Sequence, residues 1–420
     1  MPPTTRAEIA VTGLGLVTPA GHTAEDNWAA LCRGRSLAAP DPELAGLPVD
    51  FSCQVPGFDA AAELGRPLAR RVDRFIQFAL VAARRAVADA GLGTGTGTGT
   101  GRGTDGGLGD RVGVVLGVGS NCLSTYVTEF GHLGAGRPER VSPLALPRSV
   151  PSMAAGEVAI DLGARGPNFT TASACASGTT ALGVARDLLR SGTCDIVLAG
   201  GSESARSRMT ATCFARMRAL SRRREEPELA SRPFDARRDG FVLGEGAAVL
   251  VLERAADARA RRARPLALLR GYGAGADAHH PVAPHPDGDG AVRAVTAALR
   301  DAGCGPGDIA HVNAHGTGTP LNDAAEAAAL TRVFGDAMPA VTAAKGVIGH
   351  ALGAAGAIQA AYTVLALRHG LVPPVANFEG QDGDHKLDIV AGRPRPATGA
   401  GLSCSFGFGG QNAVLLLTPA

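Results

Sequence analysis

A cysteine within a turn of small residues is the first side chain in this sequence that could do chemistry. Residues 168–178 read NFTTASACASG, and the apolar residues after them predict a helix as far as Arg190. This arrangement puts Cys175 at a helix N-terminus, where unpaired backbone N–H groups and the helix dipole stabilise a thiolate. Cys175 is therefore a candidate nucleophile. The alternative, a small buried apolar cysteine, is the commoner role of this residue type.

Two histidines and a lysine occupy similar positions in the second half of the chain. The run HVNAHGTGTPLND is predicted to carry His315 from a strand end into a loop that contains Thr317 and Thr319. Further along, VTAAKGVIGHALGAAG puts Lys345 at a strand end and His350 at the start of a helix whose small residues indicate close packing. The chain has only two lysines, so a strand-end lysine beside a glycine is a candidate site residue rather than an ordinary surface charge.

Two phenylalanines near the end of the sequence stand among glycines. Residues 403–412 read SCSFGFGGQN, and glycine backbones can flex and approach a ligand closely. We expect Phe408 to cover a pocket, whereas Phe406 either lines that pocket or belongs to the core.

A thiolate, two histidines and a lysine suit decarboxylative Claisen condensation. The cysteine can accept an acyl group from a thioester, and two neutral imidazoles can donate hydrogen bonds to a second thioester whose carbonyl becomes an enolate. A cysteine hydrolase needs one histidine as base and an Asn or Asp to orient it, which leaves the second histidine and the lysine without a role.

The elements that must position these residues follow a repeated pattern of short apolar runs, glycine-rich turns and alanine-rich helices. A helix is predicted over residues 75–91, with Gly91 at its end. Alternating strands and helices indicate an α/β protein with largely buried sheets. The predicted strands cover residues 111–118, 195–200, 247–253, 266–272 and 311–315.

Two composition breaks suggest how the chain is organised. The glycine–threonine repeat over residues 93–109 has almost nothing apolar to bury and predicts a surface loop. The arginine-rich stretch over residues 255–265 marks a boundary near residue 258. We therefore expect two related halves, residues 1–258 with the nucleophile and residues 259–420 with the histidines and Lys345.

Composition and missing motifs exclude several classes of function. The 420 residues include 41 basic and 39 acidic side chains, a net charge of +2 that gives no reason to expect a nucleic-acid partner. The eight cysteines form no CxxC pair and HExxH is missing, so no metal site is expected. Without a signal-peptide pattern or a long apolar stretch, we expect a soluble, cytoplasmic protein with no membrane association.

Four motifs together resemble those of a known family. TASACASG, NAHGTGTP, KGVIGHALGAAG and SFGFGG occur in the order and spacing of the elongating β-ketoacyl synthases, condensing enzymes with the thiolase fold, and the resemblance covers essentially the whole chain. It implies a five-layered αβαβα fold with two related halves. It also implies condensation of an acyl thioester with malonyl-acyl carrier protein by a ping-pong mechanism through an acyl-cysteine.

The resemblance gives each candidate residue a role. Cys175 would be the acyl-accepting nucleophile, and His315 and His350 would bind the extender thioester and stabilise its enolate. Lys345 would support His350 and the electrostatics of the site. The backbone N–H groups of Cys175 and Phe408 would form the oxyanion hole, and Phe408 would also act as a gate between the half-reactions.

The resemblance also implies contacts with the substrate and its carrier. Thr317 and Thr319 would hydrogen-bond the phosphopantetheine arm, which arrives on the acyl carrier protein rather than as a bound cofactor, and Phe406 would line the substrate pocket. Because the carrier is acidic in this family, Arg70 and Arg71 are candidate contacts with it; solvated helix-end charges are the alternative.

Two departures from the family pattern bear on the pathway. Many relatives have a glutamate where this chain has Gln359, which removes a usual ionic partner of the lysine, and fatty-acid relatives often have a threonine where this chain has Val282. Both departures favour a discrete ketosynthase of a type II polyketide pathway. A housekeeping fatty-acid ketosynthase is the alternative.

The expected assembly is a homodimer, or a heterodimer with a paralogous chain-length partner that lacks the cysteine. A second hypothesis makes this chain the non-catalytic partner, which the intact turn around Cys175 argues against. A degradative thiolase or a starter-type synthase would share the fold but would use a cysteine or an asparagine where His350 stands. A cysteine hydrolase would release free acid from acyl thioesters.

Overall fold

The computed structural model describes residues 7–93, 107–120, 123–383 and 386–420, which form a mixed α/β structure. Its strands are β1 (Ile9–Val17), β2 (Ala39–Pro40), β3 (Phe51–Ser52), β4 (Val112–Gly117), β5 (Asn168–Thr171), β6 (Ile196–Ser204), β7 (Glu245–Arg254), β8 (Ala267–Ala276), β9 (Ile309–Asn313), β10 (Ala340–Thr342), β11 (Leu371–Val372), β12 (Asp388–Ile389), β13 (Arg395–Pro396), β14 (Ala400–Gly407) and β15 (Gln411–Thr418). Its α-helices are α1 (Ala24–Arg33), α2 (Ala60–Leu64), α3 (Arg66–Arg71), α4 (Arg74–Asp89), α5 (Leu123–Gly134), α6 (Ala145–Ser149), α7 (Ser152–Leu162), α8 (Ser177–Arg190), α9 (Arg208–Arg216), α10 (Ala255–Ala260), α11 (Asp289–Ala302), α12 (Pro320–Phe334), α13 (Lys345–Ile348) and α14 (Ala355–His369).

The large sheet consists of two half-sheets with the same pairing pattern. The first has the order β5–β4–β6–β7–β1, and the second has the order β10–β9–β14–β15–β8 with β12 outside β10. In both, the two outer pairings are parallel and the two inner pairings are antiparallel. The half-sheets meet where β1 pairs with β8, from Ile9 opposite Leu269 to Val11 opposite Ala267. The repeated pattern indicates two related halves.

The helices complete five layers. α4 and α7 pack on the first half-sheet, α11 packs on the second with α12 beside it, and α8 and α14 lie between the two half-sheets. This is the αβαβα order that the resemblance implies. It brings the start of α8, which carries the nucleophile turn, next to the start of α14.

Small residues let the two central helices approach closely. A Cβ added to Gly178 would lie 2.6 Å from the backbone nitrogen of Ala357, and one added to Gly356 would lie 2.2 Å from Oγ1 of Thr179. Residues 355–366 of α14 are all buried. The close packing predicted from the small residues of this helix is therefore confirmed.

Several elements lie where the sequence predicts them. The helix predicted over residues 75–91 is α4, and Gly91 follows it with a left-handed φ of +64°. The five predicted strands are β4, β6, β7, β8 and β9, with ends that differ by a few residues. Residue 258 lies in α10, between β7 and β8. The loop predicted from the glycine–threonine repeat falls mainly on residues 94–106, outside the described residues.

A helix that crosses a bilayer must be long and predominantly apolar. Over the described ranges, no helix is both long enough and apolar enough to cross a membrane.

Candidate active site

The candidate nucleophile lies in a sharp turn between β5 and α8. A 3₁₀ turn over Ala174–Ala176 precedes α8, and Ala174 has a left-handed φ of 48°, a strained conformation for a residue with a Cβ. The end of β14 packs against this turn, because a Cβ on Gly407 would lie 2.9 Å from the carbonyl oxygen of Ser173. Cys175 therefore sits at a helix start, as the sequence predicts.

The surroundings of Cys175 correct one expectation about its charge. Burial raises the pKa of the thiol to about 11, and the Lys345 charge and the N–H groups of Phe408 and Cys175 offset this only in part. The helix start does not outweigh burial, so the resting group is a thiol rather than the expected thiolate. The N–H groups of Phe408 and Cys175 both interact with the sulfur, and two such donors can stabilise an oxyanion.

His315 lies in a buried loop that two carboxylates hold. The loop follows β9, and the N–H groups of His315 and Gly316 donate to the two oxygens of Glu326, at 2.7 and 2.8 Å. The N–H groups of Thr317 and Gly318 donate to Asp323 on the same helix, α12. This support fixes the backbone of the loop and therefore the position of the imidazole.

The carboxylates of Asp323 and Glu326 were not among the predicted site residues. The two acidic residues lie one helical turn apart at the beginning of an alanine-rich helix that follows the GTGTP motif, and this spacing is the pattern that could have revealed them. Burial raises the pKa of Glu326 to about 7, because its hydrogen bonds with the loop offset burial only partly.

Lys345 is buried and hydrogen-bonded to uncharged groups. It begins α13, three residues after β10. In the described structure its Nζ lies 2.5 Å from the carbonyl oxygen of His315, 3.2 Å from Nδ1 of His315 and 2.5 Å from Oε1 of Gln359. Lys345 thus contacts His315 directly, whereas the family resemblance implied that it would support His350.

The hydrogen bonds of the two imidazoles determine which nitrogen carries the proton. An ammonium only donates, so Nδ1 of His315 accepts from Lys345, and Nδ1 of His350 accepts from the N–H of Leu352 at 3.2 Å. Burial first, and then the Lys345 charge, hold the pKa of both histidines well below the usual range. Both rings are therefore neutral and carry their proton on Nε2.

The three central residues meet in one cavity. A cavity of about 380 Å³ is lined by Cys175, His315 and His350, and one ligand-type atom from each lies within 4.8 Å of the others. Such a cluster could suit a metal ion, but both exposed ring nitrogens carry protons and a lysine lies behind His315. The arrangement instead presents two N–H donors to an oxygen atom beside a thiol.

Aromatic side chains form one wall of this cavity. Phe406 lies 5.9 Å from the His315 ring, between ring centres, and Phe241 lies 5.3 Å from the His350 ring. Phe214 contacts both Phe241 and Phe408, at 5.2 and 6.0 Å. Phe214 and Phe241 were not among the predicted site residues; Phe241 follows Gly240 in the segment DGFVLGEG, which could have indicated it, whereas no glycine adjoins Phe214. Phe214, Phe241, Phe406 and Phe408 therefore give an apolar side to the cavity that also holds the sulfur.

The mouth of the cavity carries the predicted arm-binding residues. Thr317 and Thr319 line it, with their hydroxyl oxygens 2.9 Å apart. Val282 lines it from the loop after β8, and Arg218 from the residues after α9. A long polar chain entering here would pass two hydroxyl groups before it reaches Cys175.

The two arginines suggested as carrier contacts lie on the surface at the end of α3. Both side chains are exposed, and the backbone carbonyl of Arg70 accepts a hydrogen bond from Arg148. Arg71 forms an ion pair with Glu157 at 2.5 Å. Arg71 therefore has a structural partner within this chain, whether or not it also contacts a carrier.

Comparison with known proteins supplies the family. The model of the beta-ketoacyl synthase N-terminal domain matches residues 6–258, and that of the beta-ketoacyl synthase C-terminal domain matches residues 266–379. The chain belongs to the beta-ketoacyl synthase family. It has the thiolase fold that the motifs predicted, and it is a condensing acyltransferase.

Relatives of this synthase match it over nearly their whole length. A 3-oxoacyl-[acyl-carrier-protein] synthase 2 of Synechocystis sp. is 40% identical over 98% of this chain and 97% of its own. The solved structure of the ishigamide ketosynthase/chain length factor is 35% identical, with a TM-score of 0.90, and the match covers 99% of this chain and 100% of the other.

A further solved structure similar to this synthase contains a carrier protein. It is AntDE:AntF, a type II PKS acyl-carrier protein in complex with its ketosynthase bound to the hexaketide. The matched chain is 29% identical with a TM-score of 0.88, and the match covers 99% of this synthase and 100% of that chain.

Proposed function

We propose that this synthase condenses an acyl group held on Cys175 with malonyl-acyl carrier protein, with loss of carbon dioxide. The observation that carries the proposal is the meeting of the Cys175 sulfur with one ring nitrogen from each of His315 and His350, all within 4.8 Å of one another in a single cavity. A hydrolase would need an imidazole with a free nitrogen to act as base, and here both Nδ1 atoms are already engaged.

In the first half-reaction, Cys175 takes the acyl group from its thioester. The sulfur attacks the acyl carbonyl, and the oxyanion is held by the N–H groups of Cys175 and Phe408. The bond to the carrier sulfur breaks, and the proton of the thiol ends on that departing sulfur. Because the resting group is a thiol, the sulfur loses its proton as it attacks.

In the second half-reaction, a malonyl thioester loses its carboxylate as carbon dioxide. Its thioester oxygen takes the developing negative charge and accepts hydrogen bonds from Nε2 of His315 and His350. The enolate carbon attacks the acyl carbonyl on Cys175, and the carbon–sulfur bond breaks. The cysteine sulfur regains a proton from the medium, which leaves a 3-oxoacyl product on the carrier.

The carrier protein delivers both substrates through the mouth of the cavity. Thr317 and Thr319 bind the phosphopantetheine arm, and Phe408 opens and closes the path to Cys175. Arg70 offers an exposed charge to the acidic carrier, while Arg71 would have to share its charge with Glu157. The arm belongs to the substrate and is not a resident cofactor.

The pathway is that of a type II polyketide. Similarity to the ketosynthase of a type II PKS complex supports this assignment. Gln359 beside the lysine and Val282 at the cavity mouth also support it, because both depart from the pattern of fatty-acid relatives.

The synthase acts as a dimer through its nucleophile half. Helices α5, α6 and α7 pack successively toward β5, the edge strand of the described sheet. We call the exposed apolar residues of these elements the apolar face: Val127, Phe130, Leu133, Leu146, Ile160 and Phe169. Large exposed apolar surfaces beside an open sheet edge are typical of interfaces. The partner is a second copy or a chain-length paralogue.

Acyl transfer to Cys175 is tested by intact-protein mass spectrometry after incubation with acyl-acyl carrier protein. We expect one acyl adduct on the wild type and none on Cys175→Ala, because the attacking sulfur is then gone. Cys213→Ala is the matched control, since Cys213 is exposed and would react if labelling were unspecific. An acyl adduct on Cys175→Ala that equals the wild-type adduct would contradict the assignment.

A further inference from the structure

Gln359 connects the catalytic lysine to two strands of the second half-sheet. It is buried on α14, and its Nε2 donates to the carbonyl oxygens of Ala314 and Cys404, at 2.8 and 3.2 Å. Its Oε1 accepts from Lys345 at 2.5 Å. The amide therefore uses both of its ends, and its orientation is fixed by carbonyls on one side and an ammonium on the other.

The contacts of Lys345 match the protonated form of its side chain. An ammonium has three N–H bonds, and the three acceptors in the described structure are the carbonyl oxygen of His315, Nδ1 of the same residue and Oε1 of Gln359. A neutral amine has only two N–H bonds and a lone pair. That lone pair could accept a hydrogen bond from an Nδ1–H of His315, a tautomer in which the single ring proton lies on Nδ1 and Nε2 carries none.

The surroundings of Lys345 stabilise its positive charge only weakly. All three acceptors are uncharged, and burial lowers the pKa of the lysine to about 8, while Glu326 gives the largest opposing effect. The ionisable groups that face Lys345 are Cys175 at the nucleophile turn, His315 after β9, His350 after α13, Asp323 and Glu326 on α12, and Cys404 on β14. In the described structure the carboxylates of α12 accept hydrogen bonds from backbone N–H groups of the loop, whereas the acceptors of Lys345 are His315 and Gln359.

We propose that Gln359 is a positioning residue for decarboxylation. Its neutral amide holds the Lys345 ammonium against His315 without adding negative charge. In alkaline medium the ammonium therefore loses its proton, and Nε2 of His315 no longer donates a hydrogen bond. The inference rests on the proposed function, since it concerns the donor that holds the malonyl thioester oxygen. The donor of His350 is unaffected, because a backbone N–H fixes its proton. Decarboxylation should therefore fall with rising pH before the fold is affected.

The test is the pH profile of decarboxylation of malonyl-acyl carrier protein to acetyl-acyl carrier protein. We expect the wild-type rate to fall on the alkaline side around the lysine pKa. Gln359→Glu adds a counter-charge that favours the ammonium, so this fall should move up by about one pH unit or more. Gln359→Met removes an acceptor of the ammonium, so the fall should move to lower pH. If Gln359 had a purely structural role, the two substitutions would not move the pH profile in opposite directions.

Controls separate this inference from the proposed function. Gln54→Glu adds the same charge at a partly exposed glutamine that donates to Pro40, and its profile should match the wild type. Circular dichroism at each pH verifies that the variants are folded. If the rate of decarboxylation falls at the same alkaline pH in the wild type and in Gln359→Glu, the role of Gln359 is overturned and the proposed function is not. A wild type that neither decarboxylates the malonyl substrate nor acylates Cys175 at neutral pH overturns the proposed function as well.

Discussion

At the scale of single residues, the two imidazoles hold the same tautomer by different means. Nδ1 of His350 accepts from a backbone N–H, a donor that does not titrate. Nδ1 of His315 accepts from Lys345, a donor that does. Both rings are neutral because burial keeps their pKa well below the usual value. Two neutral donors can stabilise an enolate without first losing a proton to it.

Replacing either imidazole should separate the two half-reactions. In His315→Ala and His350→Ala we expect an acyl adduct on Cys175, since neither ring is needed to hold its oxyanion. We expect decarboxylation of malonyl-acyl carrier protein to fall by about a hundredfold or more, because one enolate donor is lost. Mass spectrometry measures the adduct, and acetyl-carrier formation measures decarboxylation.

His369→Ala is the matched control for this pair. His369 ends α14 and stacks on Trp28, with ring centres 4.5 Å apart, away from the residues that line the cavity. Its decarboxylation rate should equal that of the wild type. Wild-type decarboxylation in His315→Ala or His350→Ala would refute the enolate role of that residue.

The sequence predicted residue types better than residue charge. Cys175 stands among small residues, and His315 and His350 stand beside glycines, in short motifs that can be read without a structure. The thiol state of Cys175 and the raised pKa of Glu326 depend on how many protein atoms surround each group. Burial is not visible in local sequence, so these charge states could not be predicted, whereas the spacing of Asp323 and Glu326 could have been used.

At the scale of elements, the contact between α8 and α14 sets the distance between the nucleophile turn and the second half. Gly178 lies one turn after Cys175, and Gly356 lies at the start of α14. The small residues of both helices predicted a close approach, and the strand ends predicted which loops would meet. The order of the strands in each half-sheet could not be read from periodicity alone, because it depends on long-range pairing.

Gly178→Ala should disturb this contact. The new Cβ would lie 2.6 Å from the backbone nitrogen of Ala357, so the helices must move apart, and overpacking of this kind costs about 1–3 kcal/mol. We expect a lower melting temperature and slower acylation of Cys175, measured by calorimetry and mass spectrometry. Gly307→Ala makes the same change where a Cβ would meet nothing within 4 Å, and it should alter neither. Equal stability of the two variants would show that α8 and α14 can separate freely.

At the scale of the whole molecule, the apolar face on the nucleophile half leaves large side chains exposed. Phe130 is 66% exposed and Ile160 is 69% exposed, and both lie on helices that lead to the open edge at β5. A monomer would expose this surface to water, whereas a dimer would bury it and extend the sheet. The interface would then lie on the half that carries Cys175.

Phe130→Asp should weaken the dimer. A charge inside an interface loses its hydration, and loss of a central aromatic anchor typically weakens association about tenfold or more. Light scattering of the purified synthase should give a mass near twice 42.3 kDa for a homodimer, with a shift toward the monomer in the variant. Ala337→Asp changes an exposed residue of the second half and is the control.

If the chain alone is monomeric, co-purification with a chain-length paralogue tests the heterodimer. If Phe130→Asp leaves the association of the subunits unchanged, the apolar face is not the dimer interface.

The division of the fold into two similar halves also divides the functional groups of the site between them. The first half brings the sulfur, and the second brings both ring donors and the ammonium behind one of them. Neither half by itself can complete a turnover, so the capacity to build a carbon–carbon bond arises only when the halves have closed on each other. The Phe408 N–H that faces the sulfur also belongs to the second half, so loading of the thiol depends on the contact between the halves as much as condensation does.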